Sequence, residues 1–520
     1  MKRALVRKGA YFDSVFLMSL GGEVKATAGV SDALVSMGTA LNLDLLRSRG
    51  YPEDELAPAT PNDLVIAVEA ADEAAVQAAV AAATALLERQ VGPSKGGASA
   101  PRPTSLEGAL RLLPGANLAV ISLPGAYAAR EARRALERGL HVMLFSDNVS
   151  LEEEIALKEL GRARGRLVMG PDCGTAIVNG KPLCFANVVR PGPVGLVAAS
   201  GTGLQEVTCL VDRFGSGVSQ ALGTGGRDLK DERVGGITML MGIEALAADP
   251  ATRVIVVLSK PPAPAVAEKV VAALASARKP AVVHFVGGDA APPDAPPAVH
   301  FASHLEEAAS FAVSLAQGGR PAASAPPASL EALAAREGRR ISGAQRYLRG
   351  YFTGGTLADE AMVLLHRALG QVYSNNQTDA RFLLADPRIS HGHTVVDLGE
   401  DAFTVGRPHP MIDPGTRTER ILAEAADPEI ALLLVDLVLG YGSHPDPAGA
   451  LVPALAEARR MKEVGGGYLP VVASVVGTPG DVQGYAAQRR KLEEAGCLVM
   501  DSNYQASLLT LRILETAGRR

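Results

Sequence analysis

GLVAASGTGLQEV, residues 195–207, joins an apolar run to a helix-forming run through Ser-Gly-Thr-Gly, and this junction decides the fold. An apolar run without polar alternation suits a strand buried on both faces, as in a parallel sheet. A glycine turn leading from such a strand into a helix is the start of a βα unit. The pattern returns at LAVISLP (118–124), HVMLFS (141–146), RLVMGP (166–171), RVIVVLS (253–259), ALLLVDLVLG (431–440) and LPVVASVVG (469–477). Strands of this kind alternating with helices of ten or more residues imply parallel βαβ units. The first hundred residues read differently. FDSVFLMSL (12–20), VSDALVSMGTALNLDLLRSRG (30–50), DLVIAVEA (63–70) and an Ala-rich stretch suggest a small domain with an antiparallel sheet. The fold class expected is therefore α/β, with tandem Rossmann-like and flavodoxin-like parallel-sheet domains preceded by a small α+β domain.

Two stretches rich in Gly, Pro, Ser and Ala, 92–105 and 318–329, have little to bury and read as linkers. They divide the chain into 1–105 (α+β), 106–190 (Rossmann-like), 191–318 (flavodoxin-like), a linker at 319–340, and 341–520 (flavodoxin-like). A third such stretch, 287–298, follows a good strand and reads as a loop inside a domain. Hydrophobic residues make up 47% of the 520 and charged residues 21%, the balance of a globular chain. A net charge of −5 offers no electrostatic footprint for nucleic acid. The four cysteines, Cys173, Cys184, Cys209 and Cys497, show no paired spacing, which suits free thiols in a reducing compartment. Lys8 and Asp13 interrupt the apolar residues near the start, and Asp436 interrupts the longest apolar run. A cytoplasmic chain without a signal peptide or membrane span is expected.

Ligands of parallel sheets lie beyond the carboxyl ends of the strands, where loops enter helix N-termini. Gly-rich loops stand there at Ser200-Gly201-Thr202-Gly203, Gly223-Thr224-Gly225-Gly226, Thr353-Gly354-Gly355-Thr356 and Gly477-Thr478-Pro479-Gly480. Each helix end attracts an anion by ~0.3–2 kcal/mol, so a phosphoryl group is held best where two converge. The same glycines also serve simply as tight turns. GRPHPMIDP (406–414) holds Arg407 and His409 in a stiff loop, suited to an Arg fork and a His proton donor acting on a carboxylate or phosphate. These two are the candidate catalytic residues. Asn375 and Asn376 offer amide donors or turn capping, and Asp436 needs a buried partner. His391 and His393 share a strand face with Asp397 near by, but no metal site is expected there. Cys173 is a packed thiol or a nucleophile, according to its pKa. No GxSxG nucleophile elbow occurs.

GPDCGTAIVNG (170–180), RPGPVGLVAASGTGLQEV (190–207) and KPAVVHFVGG (279–288) resemble the α subunit of succinyl-CoA synthetase. RGYFTGGTLADEAM (349–362) and the sheet after it resemble the carboxyl-terminal domain of that enzyme's β subunit. The fused arrangement, with GRPHPMIDP and VDLVLGYGSHPDP (435–447), is similar to the FdrA family of acyl-CoA-synthetase-like proteins, from residue 106 to the end. The resemblance implies that two helix N-termini flank a phosphoryl site, with Ser200, Gly201, Thr202 and Gly203 on one and Gly354, Gly355 and Thr356 on the other. Lys260, Gly225, Gly226, Asn375, Asn376 and Asp436 would position substrate. The ligase carries its phosphohistidine in a GHAGA-type loop, whereas 287–304 has no such context around His300 or His304, so no phosphohistidine is expected. The CoA-phosphate loop has no counterpart in the first hundred residues, and no ATP-grasp domain is recognisable. The family implies acyl-CoA-synthetase-like chemistry or carbamoyl transfer between carbamoyl phosphate and oxamate. The missing parts favour the transferase, with an acyl phosphate, a carboxylate or amide acceptor, a second protein subunit and a homo-oligomer as partners. CoA ligation and a non-catalytic CoA or acyl-phosphate sensor are the alternatives.

Overall fold

The computed structural model describes residues 1–10, 12, 14–91, 103–288, 295–405 and 407–518. Most of the 92–105 linker, residues 289–294 of the long loop, and Gly406 lie outside the described residues. Two compact units form: Met1–Arg111 with Phe403–Asp413, and Leu112–Ala402 with Pro414–Arg520.

In the first unit β1 (Lys2–Arg7), β2 (Val30–Met37) and β3 (Leu64–Ala70) make an antiparallel sheet of order β1-β3-β2. The central strand β3 is buried on both faces, and its residues alternate between two cores. Leu64, Ile66 and Val68 pack with Leu17, Leu20 and Val24 of helix Ser14–Lys25 and with Ala79, Ala83 and Leu87 of helix Glu73–Val91. Val65 and Ala67 face Leu43, Leu46, Tyr51 and Leu56 on the other side. The period of two in a run that reads as uniformly apolar thus serves two layers.

The second unit is α/β throughout. β4 (Leu118–Ile121), β5 (His141–Leu144) and β6 (Val168–Met169) form a short parallel sheet. β7 (Thr175–Val178) and β8 (Lys181–Cys184) form a hairpin at Asn179-Gly180, both with φ > 0, the residue pair such a two-residue turn requires. β7 pairs with β10 (Val218–Gly223), so the hairpin extends the next sheet. That sheet adds β9 (Pro191–Ala199), β11 (Val254–Ser259), β12 (Ala281–Phe285) and β13 (Val299–Phe301), in the order β13-β12-β11-β9-β10-β7-β8. A further parallel sheet has the order β15-β16-β14-β17-β18-β19, from β14 (Tyr347–Phe352), β15 (Val372–Tyr373), β16 (His393–Asp397), β17 (Ile430–Val438), β18 (Val471–Val476) and β19 (Leu498–Met500). No helix among the described residues is long and apolar enough to cross a membrane.

Polar contacts fix the two larger sheets to one another. Asn187 Nδ2 donates to Asp481 Oδ2 at 2.8 Å and Leu439 O at 3.0 Å, while Val188 N donates to Asp481 Oδ1 at 2.8 Å. Helices Gly201–Arg213, Leu305–Ala316, Gly355–Leu369 and Asn503–Gly518 meet around three buried carboxyls. Asn503 N donates to Glu206 Oε1 at 2.9 Å and Asn503 Nδ2 to Glu360 Oε2 at 2.8 Å; Gln505 Nε2 donates to Glu306 Oε1 at 2.9 Å. The Gly477–Asp481 loop, one of the four glycine loops, is thereby a docking element: Thr478 N donates to Asp481 Oδ2 at 2.8 Å, and Thr478 Oγ1 donates to Val188 O.

Candidate functional site

β9 ends at Ala199, and Ser200 caps the Gly201 helix (Gly201–Arg213) by accepting from Gly203 N at 3.1 Å. On the other sheet β14 ends at Phe352 and the chain turns at Thr353-Gly354 into the Gly355 helix (Gly355–Leu369). That turn is held from beneath by Asp436, a fully buried residue in the middle of β17. Its carboxylate accepts from Thr353 N at 2.8 Å, Gly354 N at 2.8 Å, Thr353 Oγ1 at 3.1 Å and Arg417 Nη1 at 3.0 Å. The polar interruption of an apolar strand is therefore a support for a helix start, with all its capacity used inside the protein.

The two helix starts meet. Ser200 Oγ and Thr356 Oγ1 share a hydrogen bond of 2.7 Å, and Thr356 N donates to Thr202 Oγ1 at 3.3 Å. A Cβ on Gly203 would lie 3.0 Å from Thr356 Cγ2, and one on Gly354 2.9 Å from Thr202 Cγ2, so the approach requires glycine at both. The three hydroxyls close on each other and leave no gap for a phosphoryl group between them. Gly201, exposed, and Gly355, half-buried, form the rim of the junction. Two of the first-turn N–H groups, Gly203 N and Thr356 N, are already taken by the hydroxyls of Ser200 and Thr202.

Lys260 follows β11 at the carboxyl end of the same sheet and ion-pairs with Asp359 of the Gly355 helix at 2.8 Å. Burial lowers its affinity for a proton, but Asp359 and Asp397 outweigh that and raise it above the ordinary lysine value. Asn376 Nδ2 bridges Asp359 Oδ1 at 3.0 Å and Asp397 Oδ2 at 3.2 Å. Asn375 clamps the backbone of Asp397 on both sides, accepting from its N and donating to its O, each at 2.9 Å. Asp397 Oδ1 accepts from Gly399 N at 2.9 Å. A Cβ on Gly355 would collide with Asp397 Oδ2 and lie 3.6 Å from Lys260 Nζ, so both charged groups border the rim. Burial pushes the Asp397 carboxyl up to about 7, Lys260 opposing and Glu400 and Asp359 assisting. Asp172, after β6, is solvent-exposed yet crowded by protein, which with Asp147 and Glu400 pushes it up to about 6.

Ser200, Gly201, Thr202, Gly203, Gly354, Gly355, Thr356, Lys260, Asn375 and Asn376 are thus brought into one region, with Asp436 beneath it. Gly225 (φ +83) packs its bare Cα against Pro171 O, while Gly226 faces open space. Arg407 and His409 lie on Phe403–Asp413, which is compact with the first unit. His409 accepts from Met411 N at Nδ1 (3.2 Å), which leaves the proton on Nε2, and burial holds its pKa down at about 4. At neutral pH it is a neutral hydrogen-bond donor rather than an imidazolium acid. His393 accepts from Leu348 N at 3.3 Å and packs edge-on to Tyr347, and His391 packs near Tyr373. His304 caps helix Leu305–Ala316 and stacks on Tyr504; His300 stands in β13. Burial pushes the Cys173 thiol up to about 12, which favours the packed, protonated thiol over a thiolate.

The protein YahF of Escherichia coli (strain K12) is 43% identical over 508 residues, which cover 98% of this chain and 97% of that protein. The chain belongs to the FdrA family of acyl-CoA-synthetase-like proteins. Residues 351–513 of this FdrA-type chain match a CoA-ligase domain, and residues 1–103 match the heavy metal-associated domain of AllF. Residues 1–103 contain neither cysteine nor histidine, the thiolate and imidazole donors common in heavy-metal sites. A succinate–CoA ligase (ADP-forming) subunit alpha 2 of Archaeoglobus fulgidus is 26% identical over 177 residues, 33% of this chain and 60% of that protein. Among solved structures, a dinucleotide-forming acetyl-coenzyme A synthetase 1 of Ca. Korarchaeum cryptofilum is 17% identical with a TM-score of 0.32, covering 78% of this chain and 83% of that one.

Two acids of this region, Asp172 and Asp359, escape a reading by motif, and the sequence marks Asp397 only beside His391 and His393. Each has a faint signal. Asp397 ends an apolar strand, TVVD, at the side where parallel sheets bind ligands, and Asp359 lies within the first two turns of a helix entered from such a strand.

Proposed function

We propose that this chain is the phosphate-handling subunit of an acyl-phosphate transferase that moves a carbamoyl group between carbamoyl phosphate and an amide acceptor such as oxamate. The observation that carries the reading is the meeting of two helix N-termini beside Lys260, in a chain whose segment between β12 and β13 contains no histidine. Such a rim suits the phosphate of a substrate, while a phosphoryl relay lacks its carrier. The AllF-like first unit and the FdrA membership agree with it.

In this reading the N–H groups at Gly201 and Gly355 hold the phosphate, and Lys260, Asn375, Asn376, Gly225 and Gly226 line the approach of the acceptor. Stabilising the tetrahedral oxyanion and holding the reactants together would do most of the work. A second subunit is required to exclude water, because a phosphate contact at 4 Å is worth only about 1 kcal/mol in bulk water but ~4 at an effective dielectric of 20.

The test is transfer of label from [14C]carbamoyl phosphate to oxamate by the chain with its co-purifying proteins. Transfer that depends on both substrates supports the reading. Thioester formation from a carboxylic acid, CoA and ATP, with no carbamoyl transfer, would establish instead the CoA-ligase reading that the match over residues 351–513 favours.

A further inference from the structure

We propose that Asp397 is the catalytic proton-transfer residue of this site, removing the proton from the acceptor nitrogen; the assignment rests on the transferase reading above. Asp397 stands at the carboxyl end of β16, at the rim formed by Gly355. Its backbone is clamped by Asn375 and its carboxylate is aimed by Gly399 N and Asn376 Nδ2. It is 4% exposed and so has little bulk water to exchange protons with.

The neighbouring acid cannot take this role equally well. Asp359 has Lys260 on Oδ2 at 2.8 Å and Asn376 on Oδ1 at 3.0 Å, so each of its oxygens already holds a donor and one of them the lysine ammonium. Asp397 accepts only amide hydrogens, which leaves Oδ2 a lone pair for a proton. The charged groups that face it are Lys260 from the end of β11, Asp359 from the Gly355 helix, and Glu400 just beyond its own strand. Burial and the two acids outweigh the lysine, which places its titration at about 7. A base poised there both accepts and returns a proton at neutral pH.

The step balances. The acceptor N–H nitrogen attacks the carbonyl carbon of carbamoyl phosphate and a C–N bond forms. The bond from that carbon to the bridging oxygen breaks, phosphate leaves with the electron pair, and the N–H proton passes to Asp397 Oδ2. As phosphate departs it gains negative charge at the rim beside Asp397, which raises the basicity of the carboxylate when it must hold the proton. In the reverse direction Asp397 returns the proton to the leaving nitrogen.

The experiment compares wild type with Asp397→Asn and Asp397→Glu, each as the full chain with its co-purifying proteins. For wild type, kcat/KM for carbamoyl transfer should rise with pH to a plateau with an apparent pKa near 7. Asp397→Asn should lower it by about 10²–10⁴-fold and abolish that limb, with inorganic phosphate binding unchanged or tighter, and Asp397→Glu should restore part of the rate. A variant that keeps the limb overturns the assignment. The titration of 13C-labelled aspartate carboxyls judges Asp397 without turnover: a carboxyl titrating near 7, shifted upward by inorganic phosphate and missing in Asp397→Asn, supports the assignment, and its absence overturns it. A wild type that titrates so but transfers no carbamoyl group refutes the transferase reading and, with it, the acceptor named for this proton.

Discussion

Replacing Asp436 by Asn tests whether this acid contacts substrate or holds the fold. The change keeps shape but removes charge. Four donors converge on the carboxylate, and one of them is the guanidinium of Arg417, itself 2% exposed. Leaving a buried charge without its partner costs about 3–5 kcal/mol. The amide NH₂ also faces Thr353 N or Gly354 N, and a buried N–H left without an acceptor costs ~1–3 kcal/mol. These costs overlap because one local shift relieves both, so we expect a net loss of about 4 kcal/mol. At ~2–4 °C per kcal/mol the melting transition should fall by roughly 10 °C. Circular dichroism melting with and without inorganic phosphate reads this directly. Asp436→Leu combined with Arg417→Met removes the buried pair but leaves both Thr353 N and Gly354 N without an acceptor, so it should melt no higher than Asp436→Asn. A variant Asp436→Asn that melts within about 2 °C of wild type but no longer binds phosphate would refute the reasoning and make Asp436 a ligand contact.

Thr202→Val with Thr356→Val removes the hydroxyl contacts between the helix starts while Ser200 still caps Gly203; each lost bond costs about 1 kcal/mol, and phosphate-dependent activity measured by carbamoyl transfer should fall. Unchanged activity would show that the junction is not the site. Burial pushes Glu206 and Glu360 up to about 7, from an ordinary 4.5, so the native state retains protons that the unfolded chain releases between those values. Their stabilisation is fully present below pH 4.5 and lost as pH rises through 7. Glu206 Oε2 has no hydrogen-bond partner, so Glu206→Gln should gain on the order of 3 kcal/mol at pH 8 and roughly halve the fall of the urea midpoint between pH 5 and 7.5, Glu360 supplying the rest, and a fall as steep as that of wild type would contradict this. His300→Ala should leave carbamoyl transfer unchanged; acid-labile label from [γ-32P]ATP on wild type but not on this variant would restore the phosphohistidine.

The central strands were legible because β9, β11, β17 and β18 are long apolar runs, whose burial on both faces leaves no alternative to a parallel sheet. The helix starts at Gly201 and Gly355 were legible because glycine after such a strand has few other uses. That they touch was not: Ser200 and Thr356 are 156 residues apart, and no local pattern encodes a contact between side chains that distant. The same separation hides the work of Asp436, which stands out in its strand but serves a turn 83 residues earlier. The hairpin β7–β8 has strands of only four residues, too short for a periodicity to emerge, though Asn179-Gly180 announces its turn. Asp397 was visible only as a possible metal ligand, because a single acid at a strand end has no spacing to read.

The junction of the Gly201 and Gly355 helices lies within one polypeptide, connected through residues 317–329 between helices Leu305–Ala316 and Leu330–Gly338. A hydroxyl contact worth about 1 kcal/mol could not by itself hold two separate molecules together at cellular concentrations. A short tether raises the local concentration of one half around the other to the millimolar range, whatever the amount of protein in the cell. The two halves are therefore always made in equal number, and dilution cannot part them. Any partner that joins this chain meets a rim that is already assembled.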